Sequence, residues 1–156
     1  MRLIADKFLI LFLLLTLLGL ACHSSQSDGS EDKADRDSDA VASLLKEVIN
    51  IHDEVMPEMG KIQKLATDLE KFLETTEEDT DAKQIHDIIR KLEDANEGMM
   101  TWMKEFEPPK SDQEQAVVLE YLNGEKEKVT KVKQDMLGSK EEAEKFLKEL
   151  SANKGN

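Results

Sequence analysis

The sequence predicts an all-α protein: an antiparallel, up-down-up three-helix bundle of coiled-coil character, set behind a signal peptide and a disordered tether. Three observations predict it. Charged residues make up 35% of the 156 and aromatics 4%, with seven Gly and three Pro, a mix that favours helices over sheets. From Val41 onward, apolar residues recur at alternating spacings of four and three, the period of an amphipathic helix. The connections between these periodic stretches are short, which makes consecutive helices antiparallel neighbours.

Residues 1–21 stand apart. Arg2 and Lys7 precede an apolar run over residues 8–18, broken only by Thr16 and followed by the small residues Gly19 and Ala21. This is the layout of a secretory signal peptide, and the run falls short of the roughly 20 apolar residues that span a bilayer. Cys22 is the one cysteine, so no intrachain disulfide forms. The stretch LGLAC resembles the lipobox of bacterial lipoproteins, with Gly19 and Leu20 in swapped order. The resemblance implies lipidation at Cys22; cleavage after Ala21 by an ordinary signal peptidase is the rival. Two or more acyl chains would hold the mature chain on a membrane without a transmembrane helix.

Residues 22–40 then read as the acylated Cys and a flexible acidic tether. Over 23–40 there is no large apolar side chain, and six acids face two bases, a composition that does not bury enough surface to fold. His23, not Asp, follows the Cys; by resemblance to enteric lipoproteins, nothing retains such a protein at the inner membrane.

The bundle is expected over 41–152. Its first helix, about 41–75, carries the stripe Val41, Leu45, Val48, His52, Val55, Met59, Ile62, Ala66, Leu69 and Leu73. The cap and turn residues TTEEDTD close it. The second, about 81–106, carries Ala82, Ile85, Ile89, Leu92, Asn96, Met99, Met103 and Phe106, and Pro108-Pro109 stops it because proline disfavours helix in the residue before it. The third, about 112–151, opens on a capping box of Ser111 with Glu114 and continues through Val118, Leu122, Glu125, Val129, Met136, Ser139, Ala143 and Leu150. Gly138-Ser139 followed by Glu142 marks a plausible bend.

Folding the first two helices back near residue 78 places Met59 level with Glu97 and Met99, and His52 level with Met103 and Lys104. Folding the second turn so that paired numbers add to about 219 brings Val118 and Tyr121 alongside. His52, Met56, Met59, Met99, Trp102, Met103 and Tyr121 would then share about two turns of core. Pro57 falls in this layer and kinks the first helix, since it lacks an amide and clashes with the carbonyl four residues back. Methionine fills irregular space around a kink and packs well on aromatics, which accounts for the cluster as core. The functional alternative is a Cu(I) or other soft-metal site: thioether and imidazole select that ion, with His52, Met56, Met59, Met99 and Met103 as ligands. Asn96 and Glu125 fall on core positions at similar heights and form a candidate buried polar pair that fixes register.

The net charge of −13 repels nucleic-acid phosphates, so no nucleic-acid partner is expected. No HExxH zinc helix, no Glu-x-x-His di-iron pair and no Gly-rich phosphate loop occurs. His52-Asp53 and His86-Asp87 are adjacent on a helix and are not expected to face each other. No enzyme is expected, and no resident cofactor apart from copper on the alternative reading.

IHDEVMPEMGKI and EDANEGMMTWMKEFEPP resemble segments of small bacterial lipoproteins labelled viral A-type inclusion protein, a likeness covering about residues 40–152. That family has no assigned reaction, so no functional residue is carried over. The expected protein is a lipid-anchored bundle of the bacterial cell envelope, facing periplasm or cell surface. It would touch the membrane through its N-terminal lipid and serve as a spacer or bind an envelope protein.

Overall fold

The computed structural model describes residues 31–74 and 79–153, with side chains described over 36–74 and 81–152. The expected signal peptide, Cys22, residues 23–30 of the tether and residues 75–78 of the first turn lie outside the described residues. The chain divides into two units, Met1–Asp35 and Arg36–Asn156; of the first, only the opening residues of the first helix are described.

All regular structure among the described residues is helical: α1 (Glu31–Val55), α2 (Glu58–Leu73), α3 (Asp79–Glu105) and α4 (Gln115–Asn153). Helices α2, α3 and α4 pack against one another. No helix among the described residues is long and apolar enough to cross a membrane.

The expected first helix is two. Met56 and Pro57 separate α1 from α2, and Pro57 itself adopts helical angles, φ −63° and ψ −18°. Proline tolerates that position because a helix start needs no amide there, and its missing N–H leaves the Asp53 carbonyl without the usual partner. The core face crosses the break in phase. Val48, Val55, Ile62 and Leu69, each seven residues apart, are all fully buried. On α4, Val129, Met136 and Ala143 keep the same interval at zero exposure. Ile85, Ile88, Leu92 and Met99 supply the third side of the same core. Burying each such Val, Leu or Ile side chain contributes about 1.5–3 kcal/mol.

Three boundaries correct the sequence expectation. Residues 31–40, expected in the flexible tether over 22–40, belong to α1 instead. No Pro or Gly interrupts the stretch from 31 to 55, so nothing in the sequence breaks the helix there. The capping box of Ser111 with Glu114 does not open α4, which starts at Gln115. A local turn takes its place: the Lys110 amide donates to Gln113 Oε1 (2.7 Å), and the Gln113 amide donates to the Lys110 carbonyl (3.3 Å). Nor does α4 break at Gly138-Ser139. Ser139 is buried and its hydroxyl donates to the Met136 carbonyl at 3.2 Å, so the serine is satisfied inside the helix rather than capping a new one.

Candidate functional site

The Pro57 break ends α1 one turn after His52, and the end of α3 brings Trp102 beside it. The His52 and Trp102 ring centroids lie 5.6 Å apart, tilted by 36°. Trp102 stacks in turn on Phe106 at 5.0 Å, and Phe106 on Tyr121 at 6.3 Å. His52, Trp102 and Tyr121 from three helices, with Phe106 just past the end of α3, thus form one column of rings. Trp102 is 6% exposed, so its indole N–H needs a protein partner. It donates to Glu125 Oε2 at 2.9 Å, and Glu125 is itself 5% exposed. Lys128 closes the group by donating to Glu125 Oε1 at 2.8 Å, a contact that raises its own pKa above the ordinary lysine value. The Tyr121 hydroxyl accepts from the Glu107 amide at 2.9 Å and fixes the chain where it leaves α3.

The candidate pair of Asn96 and Glu125 is not formed, because each has another partner. Asn96 Nδ2 donates to the Met59 carbonyl at 3.3 Å across to α2, which matches the register expected for the first turn. Its Oδ1 is buried with no hydrogen-bond partner. The second turn differs from expectation. Trp102 sits beside Glu125 and Phe106 beside Tyr121, so paired numbers add to about 227 rather than 219. The connection is longer than the capping box implied, and α4 is displaced by about two turns.

His52 and Asp53 do meet, against expectation. Nδ1 lies 2.9 Å from Asp53 Oδ1, in the last turn of α1, just before Pro57 ends the helix. The His52 side chain is 20% exposed and that of Asp53 65%. Met99 is fully buried, and Met56, Met59 and Met103 pack partly buried against the same core. Among the described residues, no three His, Cys, Asp or Glu side chains converge as a metal site.

Below this layer, α2 is tied to α4 by charge. Glu58 Oε2 lies 2.7 Å from Lys140 Nζ, a charge contact rather than a well-directed hydrogen bond, and Lys61 donates to Glu58 Oε1 at 2.8 Å. Lys140 and then Lys61 hold the Glu58 carboxyl below the ordinary glutamate value. Lys140 is raised by the same contact with Glu58. Sequence reasoning missed this group, the Trp102–Glu125 bond and the Tyr121 anchor. The heptad interval of Lys126, Lys133 and Lys140 was the available signal: they meet Glu47, Glu54 and Glu58 at 2.5, 2.6 and 2.7 Å.

Comparison of the chain with protein-family models, with curated proteins and with solved structures finds no match.

Proposed function

We propose that this protein is a lipid-anchored bundle of the bacterial cell envelope, acting without catalysis as an interaction or spacer module. The observation that carries the reading is the order of its parts: a basic start, an apolar run ending at Cys22, an acidic stretch, and then an all-helical unit. Acylation at Cys22 places the N-terminus in a membrane, facing periplasm or cell surface. The bundle runs up-down-up. Supporting this, Glu47–Lys126 and Glu54–Lys133 rise together along α1 and α4, whereas Trp102–Glu125 and Lys91–Glu142 change in opposite senses along α3 and α4. A module for binding or spacing also suits the Trp102–Glu125–Lys128 group, in which the buried Glu125 carboxylate is satisfied by Trp102 and, from the surface, by Lys128.

The test is metabolic labelling with a palmitate analogue in a bacterial host, followed by mass spectrometry of the N-terminal peptide. The wild-type chain is expected to carry lipid on Cys22 as its first residue, and Cys22→Ser to carry none. A mature chain starting at an unmodified Cys22 would make it a freely released protein instead.

The copper alternative rests on one specific observation. Asp53 engages His52 Nδ1, leaving Nε2 as the ligand nitrogen, in the manner of carboxylates that orient metal-binding imidazoles. A Cu(I) titration against a chromogenic chelator decides it. One bound copper, lost in Met56→Leu and Met99→Leu with helicity intact, would establish the site; no competition with the chelator would leave these methionines as core.

A further inference from the structure

We infer that the methionines at the α1–α2 break form a reversible oxidation site: a hydroperoxide converts Met56, Met59 and Met103 to sulfoxides, and the layer they share loosens in response. The inference goes beyond the anchored-module reading and holds whether or not Cys22 carries lipid. Of the six methionines after Met1, five fall in two short stretches, Met56–Met59 and Met99–Met103. The fold sets these stretches side by side: Asn96 reaches the Met59 carbonyl at 3.3 Å, and the His52 and Trp102 rings lie 5.6 Å apart. Exposure then grades the sulfurs. Met99 and Met136 are sealed at 0%, Met56, Met59 and Met103 are partly buried against the core, and Met100 is 57% exposed. An oxidant therefore reaches Met100 first, the three layer methionines next, and Met99 and Met136 only when the chain unfolds. No thiol competes within the bundle, because the one cysteine, Cys22, precedes it.

The step is a two-electron oxygen transfer. The thioether lone pair attacks the outer oxygen of the hydroperoxide, the O–O bond breaks as the S–O bond forms, and sulfur gives up two electrons. The other oxygen takes the peroxide proton and leaves as water or an alcohol. Two thiols acting through a sulfoxide reductase reverse it: they become a disulfide, and the oxygen leaves as water. A sulfoxide is polar where the thioether was not, and the polar groups of this layer are already engaged. The Trp102 indole N–H serves Glu125, Asn96 Nδ2 serves the Met59 carbonyl, and His52 Nδ1 is held by Asp53. Asn96 Oδ1 is already a buried acceptor without a partner, so each sulfoxide adds an acceptor to a layer short of donors. Its oxygen is satisfied where water enters. Backbone bonding resists that opening least here. Pro57 has no amide to donate, and the Met59 amide bonds three residues back, to the Met56 carbonyl at 3.2 Å, rather than four.

The test treats the full chain, purified in detergent from a bacterial host, with graded hydrogen peroxide. Peptide mass spectrometry reads the sulfoxide at each methionine, and the fluorescence of Trp102, the one tryptophan, follows urea unfolding. Sulfoxide is expected at Met100 first with the urea midpoint unchanged, then at Met56, Met59 and Met103 with the midpoint lowered, while Met99 and Met136 stay reduced. Methionine sulfoxide reductases of both stereospecificities, with dithiothreitol, should restore the midpoint. Met100→Leu should keep the fall, and Met56→Leu, Met59→Leu and Met103→Leu combined, swaps that conserve volume, should lose it. The assignment is overturned if Met99 or Met136 oxidises in step with the three, if the midpoint holds once all three are sulfoxides, if the fall persists in the triple variant, or if the reductases do not reverse it. Should the triple variant fail to fold, Met56→Leu and Met103→Leu taken singly should each reduce the fall; a fall unchanged in both overturns the assignment equally.

Discussion

Trp102 and Glu125 show how one buried hydrogen bond can commit a whole layer. The indole N–H and the carboxylate are both nearly sealed from water, so each depends on the other. Removing one partner leaves a desolvated polar group, which costs about 1–3 kcal/mol and more where it is charged. Trp102→Phe should therefore destabilise by about 2–4 kcal/mol in urea melts, since it strands the Glu125 carboxylate and opens space beside His52. Glu125→Leu should cost less than the sum implies when combined with it. A double-mutant cycle is expected to return a coupling of about 1–2 kcal/mol, and additive effects would show that Lys128 alone satisfies Glu125. Sequence periodicity placed Glu125 on the core face correctly, since its position follows from the interval to Leu122 and Val129. Its partner was not legible. Which residue of α3 lies opposite depends on the length of the 106–114 connection, and a two-turn error there follows from an Ser/Glu capping pattern that the structure does not use.

At the scale of elements, the α1–α2 break is a local interruption in a continuous face. The kink was legible in Pro57, and the stripe that continues in phase across it was legible in the sequence; that the expected first helix divides into two at Met56 and Pro57 was not. Here Val48, Val55, Ile62 and Leu69 keep their interval across it. A continuous helix would bury the same face, so Pro57→Ala is expected to raise stability by about 1–2 kcal/mol: the helix-propensity gain of up to ~3 kcal/mol less the unfolded-state advantage of proline. The urea midpoint and the helical circular-dichroism signal should rise together, and a fall in both would mean that the layer at His52 requires the break. The Glu58–Lys140 contact adds a pH signature. Glu58 is held below its ordinary value, so its contribution is fully present above the unfolded glutamate value and is lost as pH falls through the lower folded one. Lys140 is raised, so its contribution is present below the unfolded lysine value and is lost as pH rises through the higher folded one. Glu58→Gln should flatten both limbs of a plot of urea midpoint against pH, below about 4 and above about 10. The acid limb should keep the slope due to Asp68, which Lys64 and Lys71 also hold low.

Across the whole molecule, two electrostatic effects oppose each other, and salt separates them. The surface carries ion pairs from Glu47–Lys126 to Lys91–Glu142, and most have at least one partner well exposed. Exposed pairs of this kind contribute about 0–1 kcal/mol each, and salt weakens them. Against them stands a net charge of −13, whose self-repulsion favours the expanded chain. Acids that make no ion pair among the described residues lie along the bundle, such as Glu70, Glu93, Glu97 and Glu141, as well as at the α3–α4 connection, and salt relieves their repulsion too. The Debye length falls from roughly 10 Å at 0.1 M to 3 Å at 1 M. That removes repulsion between acids set well apart on the surface before it removes contacts shorter than 3 Å. The repulsive part should therefore be screened first, and the thermal midpoint is expected to rise between about 0.02 and 0.3 M salt. Replacing Glu107 and Asp112 by Gln and Asn should reduce that rise by removing two of its sources, whereas replacing the paired Glu47 should steepen it. A midpoint that falls with salt from the outset would mean the inter-helix ion pairs outweigh the repulsion of the net negative charge, and that the charges of this protein serve the bundle before they oppose it.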